Sequence, residues 1–209
     1  MSSRFRWRDN PNILAKLVDA NNLKTWQAQE VVLKPNEACV FIVDGRIGDI
    51  LTEKVVGNIA GGFNRFIGEM IGVTAKDRRL LFAMTGPADI AIPFAGHMPN
   101  GTKVNGFANL RVQLRNEDIP KLLNMFANSA PVLDRRRLAE VLHNELMMRV
   151  INPSLAECED DTVLRTSAFQ DKFEMRVEVE LRATLTTLGF TMLKAFITAN
   201  QTDSEKLTE

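Results

Sequence analysis

The sequence predicts an α+β protein: a twisted, mainly antiparallel sheet with helices packed on it, and a C-terminal strand behind a long helix. Three observations predict it. Short apolar runs separated by turn residues fill positions 31 to 115, apolar residues at three- and four-residue spacing fill 116 to 188, and a glycine then introduces one last short apolar run. The composition is that of an ordinary globular protein, with 209 residues, 45% hydrophobic and 25% charged. Lys+Arg 26 balances Asp+Glu 26, which argues against a general nucleic-acid binder. The organisation read from texture is an N-terminal arm over 1–29, a domain over 30–199 and a polar tail over 200–209.

The arm is basic and aromatic. Arg4, Arg6, Arg8, Lys16 and Lys24 face only Asp9 and Asp19, and Phe5, Trp7 and Trp26 lie among them. Pro11 suits the start of a short helix over 12–19. Arginine beside tryptophan suits an anionic lipid surface, so Arg4, Arg6, Trp7 and Arg8 are membrane-contact candidates. The plainer reading is that Phe5 and Trp7 pack the arm onto the domain.

From Glu30 the texture becomes that of strands. Val31 to Leu33 is one, Pro35-Asn36 a turn, and Ala38 to Val43 a second. Asp44-Gly45 is a two-residue hairpin signal, and Ile47 to Leu51 returns. Lys54 to Gly72 then places Val55, Val56, Ile59, Phe63, Phe66, Ile67, Met70 and Ile71 on one helical stripe. Gly57, Gly61, Gly62 and Gly68 interrupt that stripe, each costing about 0.5–1 kcal/mol relative to alanine. Such a helix needs a surface to fold against, either the sheet or a bilayer interface. Ile59, Phe63, Phe66, Ile67, Met70 and Ile71 are therefore further membrane-contact candidates.

Leu80 to Met84 and Asp89 to Phe94 are short strands around Gly86-Pro87. Pro99-Asn100-Gly101 is a turn, and Lys103 to Arg115 alternates around Gly106. Asn116 is a good N-cap ahead of Glu117 and Asp118, with Ile119, Leu122, Leu123 and Phe126 as the apolar face. Pro131 stops that helix, Asp134 caps the next, and Pro153 ends it. Arg135, Arg136 and Arg137 form a basic run at its start, read as a subunit contact. In the last unit Phe169, Phe173, Val177, Leu181, Leu185 and Leu188 form a helical face, Gly189 supplies the stop, and Phe190 to Ile197 is a strand. Phe173 to Ala183 also alternates apolar and polar without a break, which is a strand pattern. The longer four-residue ladder and the terminal glycine favour the helix.

The residues show no constellation of catalytic groups. His97 and His143 are far apart in sequence, and no thiol pair, metal-protease, nucleophile-elbow or phosphate-loop motif occurs. Cys39 lies in an apolar run and Cys158 among acids that raise a thiol's pKa. Glu157, Glu159, Asp160 and Asp161 lack the alternation and glycine of a calcium loop. The sequence thus points to no enzyme, cofactor or metal. No run approaches the length of a membrane-spanning helix.

The segment VVLKPNEACVFIVDGRIGDIL, with Pro35, Glu37, Ala38, Val40, Phe41, Val43, Asp44, Gly45 and Ile47, resembles the opening of an SPFH (stomatin, prohibitin, flotillin, HflK/C; band 7) domain. Leu185, Leu188, Gly189, Phe190, Leu193 and Ile197 resemble its closing helix-to-strand motif, so the resemblance spans roughly 31 to 199. FRWRDNP and LLFAMTGPADIAIPF look closest to a prokaryotic, virion-core-like branch. Asn100-Gly101 stands where the pattern has Asp-Gly. The resemblance implies the SPFH fold and a non-enzymatic, cytoplasmic scaffold. Such a scaffold meets an anionic membrane surface peripherally, self-assembles, and organises lipids or partner proteins. Relatives usually continue into a ring-closing coiled coil, for which the ten residues 200–209 offer no counterpart. The other reading is a soluble protein-binding or assembly module without membrane contact.

Overall fold

A computed structural model describes residues 6–19, 31–52, 55–56, 77–126 and 130–200. The class is α+β, and the chain divides into two compact units, Met1–Gly86 with Leu114–Asp134, and Pro87–Gln113 with Arg135–Glu209. Where the sequence suggests one sheet, each unit has its own.

The first unit contains strands β1 (Ile13–Asp19), β2 (Val31–Val32), β3 (Glu37–Val43), β4 (Arg46–Thr52), β5 (Val55–Val56) and β6 (Arg78–Met84). The short strand β9 (Val132–Asp134) also belongs to it. Five of these form one sheet in the order β4-β3-β6-β1-β9, with antiparallel pairing throughout. β2 and β5 pair separately. The Asp44-Gly45 expectation holds: φ is 47° at Asp44 and 78° at Gly45, the two positive values that a tight hairpin of the right twist requires. Every residue of β3 is buried because both of its faces are covered. On one side Cys39, Phe41 and Val43 join Trp7, Ile13, Leu33, Leu80 and Phe82. A 3-10 helix over Asn116–Leu122, bearing the fully buried Ile119 and Leu122, also packs against β3.

Several expectations are corrected here. Residues 13–19 form a strand, not a helix, because β6 pairs with β1 residue by residue from Ala15↔Ala83 to Asp19↔Arg79. Long-range pairing outweighs the local proline signal. Val55 and Val56, read as the start of a helical stripe, pair with Val32 and Val31. Asn116 is not the cap: Arg115 holds that position, with no side-chain cap bond, and only the single turn α1 (Leu123–Phe126) is α-helical. The rest of the stripe lies outside the described residues.

The second unit is a helical layer on a three-stranded sheet, ordered β10-β8-β7, from β7 (Ala88–His97), β8 (Lys103–Leu114) and β10 (Phe190–Ala199). β7 and β8 pair from Ala88↔Val112 to His97↔Lys103. Side chains alternate strictly along β7, one face buried and the other exposed. Helix α2 (Arg135–Leu146) packs on β7. Pro153 was expected to end this helix and does not. A π-helical turn over Met147–Ile151 intervenes, and the Asn152 amide donates to the Met147 carbonyl, five residues back. The wider turn places Pro153 in the first turn of α3 (Asn152–Ala156), where a missing N–H is harmless.

Asp160 accepts from the Thr162 and Val163 amides, and Thr166 accepts from the Phe169 amide to cap α4 (Ser167–Thr187). α4 buries Phe169, Phe173, Val177, Leu181 and Leu185, as its spacing predicts, and packs on β10. Gly189 follows at φ 86°. The strand alternative for 173–183 fails on two residues. Met175 and Val179, which that pattern would bury with the others, are 61% and 68% exposed.

Candidate interaction surface

The second unit holds the features that bear on function, and they begin with how α4 is fixed. On one flank Glu157 receives Lys172 at 2.5 Å and Arg176 at 2.6 Å, and Arg176 also donates to Ser154 Oγ at 3.0 Å. Further along, Arg149 lies 3.5 Å from Glu145 and 4.0 Å from Glu180. Hydrogen bonds from Lys172 and Arg176 hold the Glu157 carboxyl below its ordinary range. The unfolded chain therefore binds that proton more readily, and the stabilisation is lost as pH falls below about 4.5. Because Glu157 is exposed, the network is worth only about 0.5–1 kcal/mol. In urea titrations, wild type should exceed Glu157→Gln by that amount at pH 7. The difference should shrink as pH falls below about 4.5.

On the opposite flank, α4 closes the free edge of β10. Gln170 accepts from the Ile197 amide at 3.0 Å and donates to the Ile197 carbonyl at 3.1 Å, while Glu174 accepts from the Ala195 amide at 3.3 Å. These side chains occupy positions that an added strand would need. The other edge, β7, carries Pro93 at its centre, which cannot donate to a further strand. Neither edge of this sheet invites another chain. A groove of about 780 Å³ runs beside β10, lined by Gln170, Asp171, Glu174, Lys194 and Phe196, with the Arg111–Asp89 pair (2.8 Å) at its rim.

What remains open is the outer face of the helical layer. Met148 is 74% exposed and, with Val141, Met175 and Val179, places four large apolar side chains in solvent. Arg149, next to Met148 in sequence, reaches Glu180 on the flank of α4. The outer sheet face carries Phe107 and Phe196, also exposed.

Nothing here resembles an activated nucleophile. Cys39 and Cys158 are both buried, and burial raises both thiols, for Cys158 with help from the Glu157 charge. The Cys158 thiol donates to the Ser154 carbonyl at 3.2 Å, beside a cavity of about 210 Å³. His97 ends β7 on the surface, and His143 lies on α2. Among the described residues no cluster of His, Cys, Asp and Glu could hold a metal ion, and no helix is long and apolar enough to cross a membrane.

The residues singled out from sequence fall in different places. Trp7 is a core residue, 2% exposed, stacked on Phe82 and bonded to Glu37, so it offers no ring to a lipid surface. Arg6 is exposed, and Arg8 is half-buried with its Nε unpartnered among the described residues. Arg4, Ile59, Phe63, Phe66, Ile67, Met70 and Ile71 lie outside the described residues. Arg136 pairs with Glu140 at 3.7 Å on the outside of α2, Arg137 is half-buried, and Arg135 has a buried, unpartnered Nε. The exposed stripe of α4 was not singled out from sequence. Its signal was present, because Met175 and Val179 fall outside the helical ladder and a helix must turn them outward. Compared with known proteins, the chain matches no protein-family model and no curated sequence.

Proposed function

We propose that this protein is a non-enzymatic scaffold of the SPFH or band 7 kind. It self-assembles and associates peripherally with an anionic membrane surface on the cytoplasmic side, organising lipids or partner proteins. The observation that carries the assembly part is the open helical face of the second unit. Met175 and Val179, one turn apart on α4, are both more than 60% exposed there, and exposed apolar side chains grouped on one face mark contact surfaces. The closed sheet edges direct that contact to the helices. The membrane part rests on Arg6 and on the sequence of the 54–72 stripe, together with the resemblance over 31–199. Trp7 has no role in it. The second reading, a soluble protein-binding module, draws on the same face without the lipid.

Flotation with vesicles containing anionic lipid separates the two readings. The scaffold should rise with the vesicles, and Phe66→Glu should leave most of it behind. If wild type stays in the soluble fraction at low ionic strength, the membrane part is wrong and the soluble module stands. Light scattering on the same sample reads assembly independently.

A further inference from the structure

The outer face of α4 is charged in a way that fits its own reverse. Along the 21-residue helix, Asp171, Met175, Val179 and Arg182 fall within about 80° of the circumference, all exposed. Asp171 and Arg182 are about 16 Å apart along the axis, with the two apolar residues between them. Read backwards, the stripe is base, apolar, apolar, acid. A two-fold axis beside the helix, level with the midpoint between Asp171 and Arg182 and perpendicular to both helix axes, places each acid opposite the other copy's base. It also brings Met175 against Val179 of the second copy.

We infer that two copies of this chain pair through α4, antiparallel, with Met175 and Val179 in the centre and Asp171–Arg182 ion pairs at both ends. This names the surface of the self-assembly proposed above and rests on that reading. A parallel pairing would set Asp171 against Asp171 and Arg182 against Arg182, so the charges select the antiparallel arrangement. Glu178 is also exposed on this face, about 20° from Asp171 around the helix, and its charge is offset by Arg182 of its own copy. Lys172 is held on the flank by Glu157 at 2.5 Å. Arg182 bonds Glu178 within its own helix at 2.9 Å and has further N–H donors for a second carboxylate. The pairing is isologous, so it closes on itself as a dimer.

The test is charge reversal on the full chain, read by sedimentation equilibrium from about 5 to 200 μM, with circular dichroism to confirm folding. Wild type should dimerise. Asp171→Arg and Arg182→Asp should each raise the dissociation constant at least about tenfold by placing like charges together. The double variant D171R/R182D should return to within about threefold of wild type. Met175→Glu, exposed in the single chain, should also abolish the dimer without unfolding it. If wild type assembles and none of these variants alters it, or if the double variant fails to restore pairing, the α4 contact is wrong while self-assembly stands. If wild type stays monomeric across the range with and without anionic vesicles, both are wrong.

Discussion

Trp7→Ala should destabilise the first unit by about 3–5 kcal/mol, the range for truncating a large buried aromatic. Trp7 is 2% exposed, and its indole lies nearly parallel to the Phe82 ring, at 5.8 Å and 11°. Phe82 is on β6, the strand that joins β1 to β3, so the cavity would open at the middle of the five-stranded sheet. Part of that loss comes from a hydrogen bond. Glu37 is 8% exposed, and its Oε2 accepts from the Trp7 indole N–H at 3.1 Å and from the Lys34 amide at 3.0 Å. Removing the indole leaves a buried carboxylate with one donor fewer, which costs roughly 1–3 kcal/mol. Trp7→Phe separates the two effects, because it keeps most of the ring and removes only the donor. Urea titration followed by circular dichroism should rank wild type above Trp7→Phe and Trp7→Phe above Trp7→Ala. If Trp7→Ala matches wild type, the arm is not part of the core.

That ranking bears on how much of the molecule the sequence disclosed. Local rules worked where one short segment sets its own geometry. Asp44-Gly45 had to turn because both positions accept positive φ, and Gly189 had to stop α4 for the same reason. The core face of α4 was legible because Phe169 to Leu185 repeat over several turns. Local rules failed where a distant partner decides. Ile13–Asp19 has a proline signal in front of it, yet it is a strand because β6 pairs with it from 60 or more residues away. Pro153 reads as a stop, and only a π-turn upstream lets the helix pass it.

The contact surface was half legible for a related reason. The unbroken alternation from Phe173 to Ala183 carries two messages superimposed. The four-residue ladder through Phe173, Val177 and Leu181 specifies burial against the sheet. The leftover Met175 and Val179 specify what the helix shows outward. Apolar residues out of phase with a helix's core face do not stabilise that helix against its own sheet. Met175 and Val179 are the side chains that the proposed contact uses.

Gly106→Ala should be the most damaging single methyl group in the second unit, costing roughly 3 kcal/mol, the upper end for overpacking. A Cβ at position 106 would lie 2.0 Å from the Thr198 carbonyl oxygen and 2.9 Å from the Ala199 Cα. These are backbone atoms of β10, so no side chain can swing aside. β10 is pinned there by the Asn200 amide on the Asn105 carbonyl at 2.8 Å and by Asn109 on Thr198 Oγ1 at 3.1 Å. Relieving the clash means parting β10 from β8, and that strand carries the buried Ala195 and Ile197 and the groups that Gln170 and Glu174 hold. Gly45→Ala is the control. A Cβ there meets nothing within 4 Å, and the cost is only the left-handed φ of 78°, about 1–2 kcal/mol. Denaturation midpoints should therefore fall further for Gly106→Ala than for Gly45→Ala. Amide exchange in Gly106→Ala should rise along β10 and α4 before it rises in the first unit. Equal effects of the two substitutions would mean that β10 yields at Thr198, and that the β8–β10 contact is looser than its geometry.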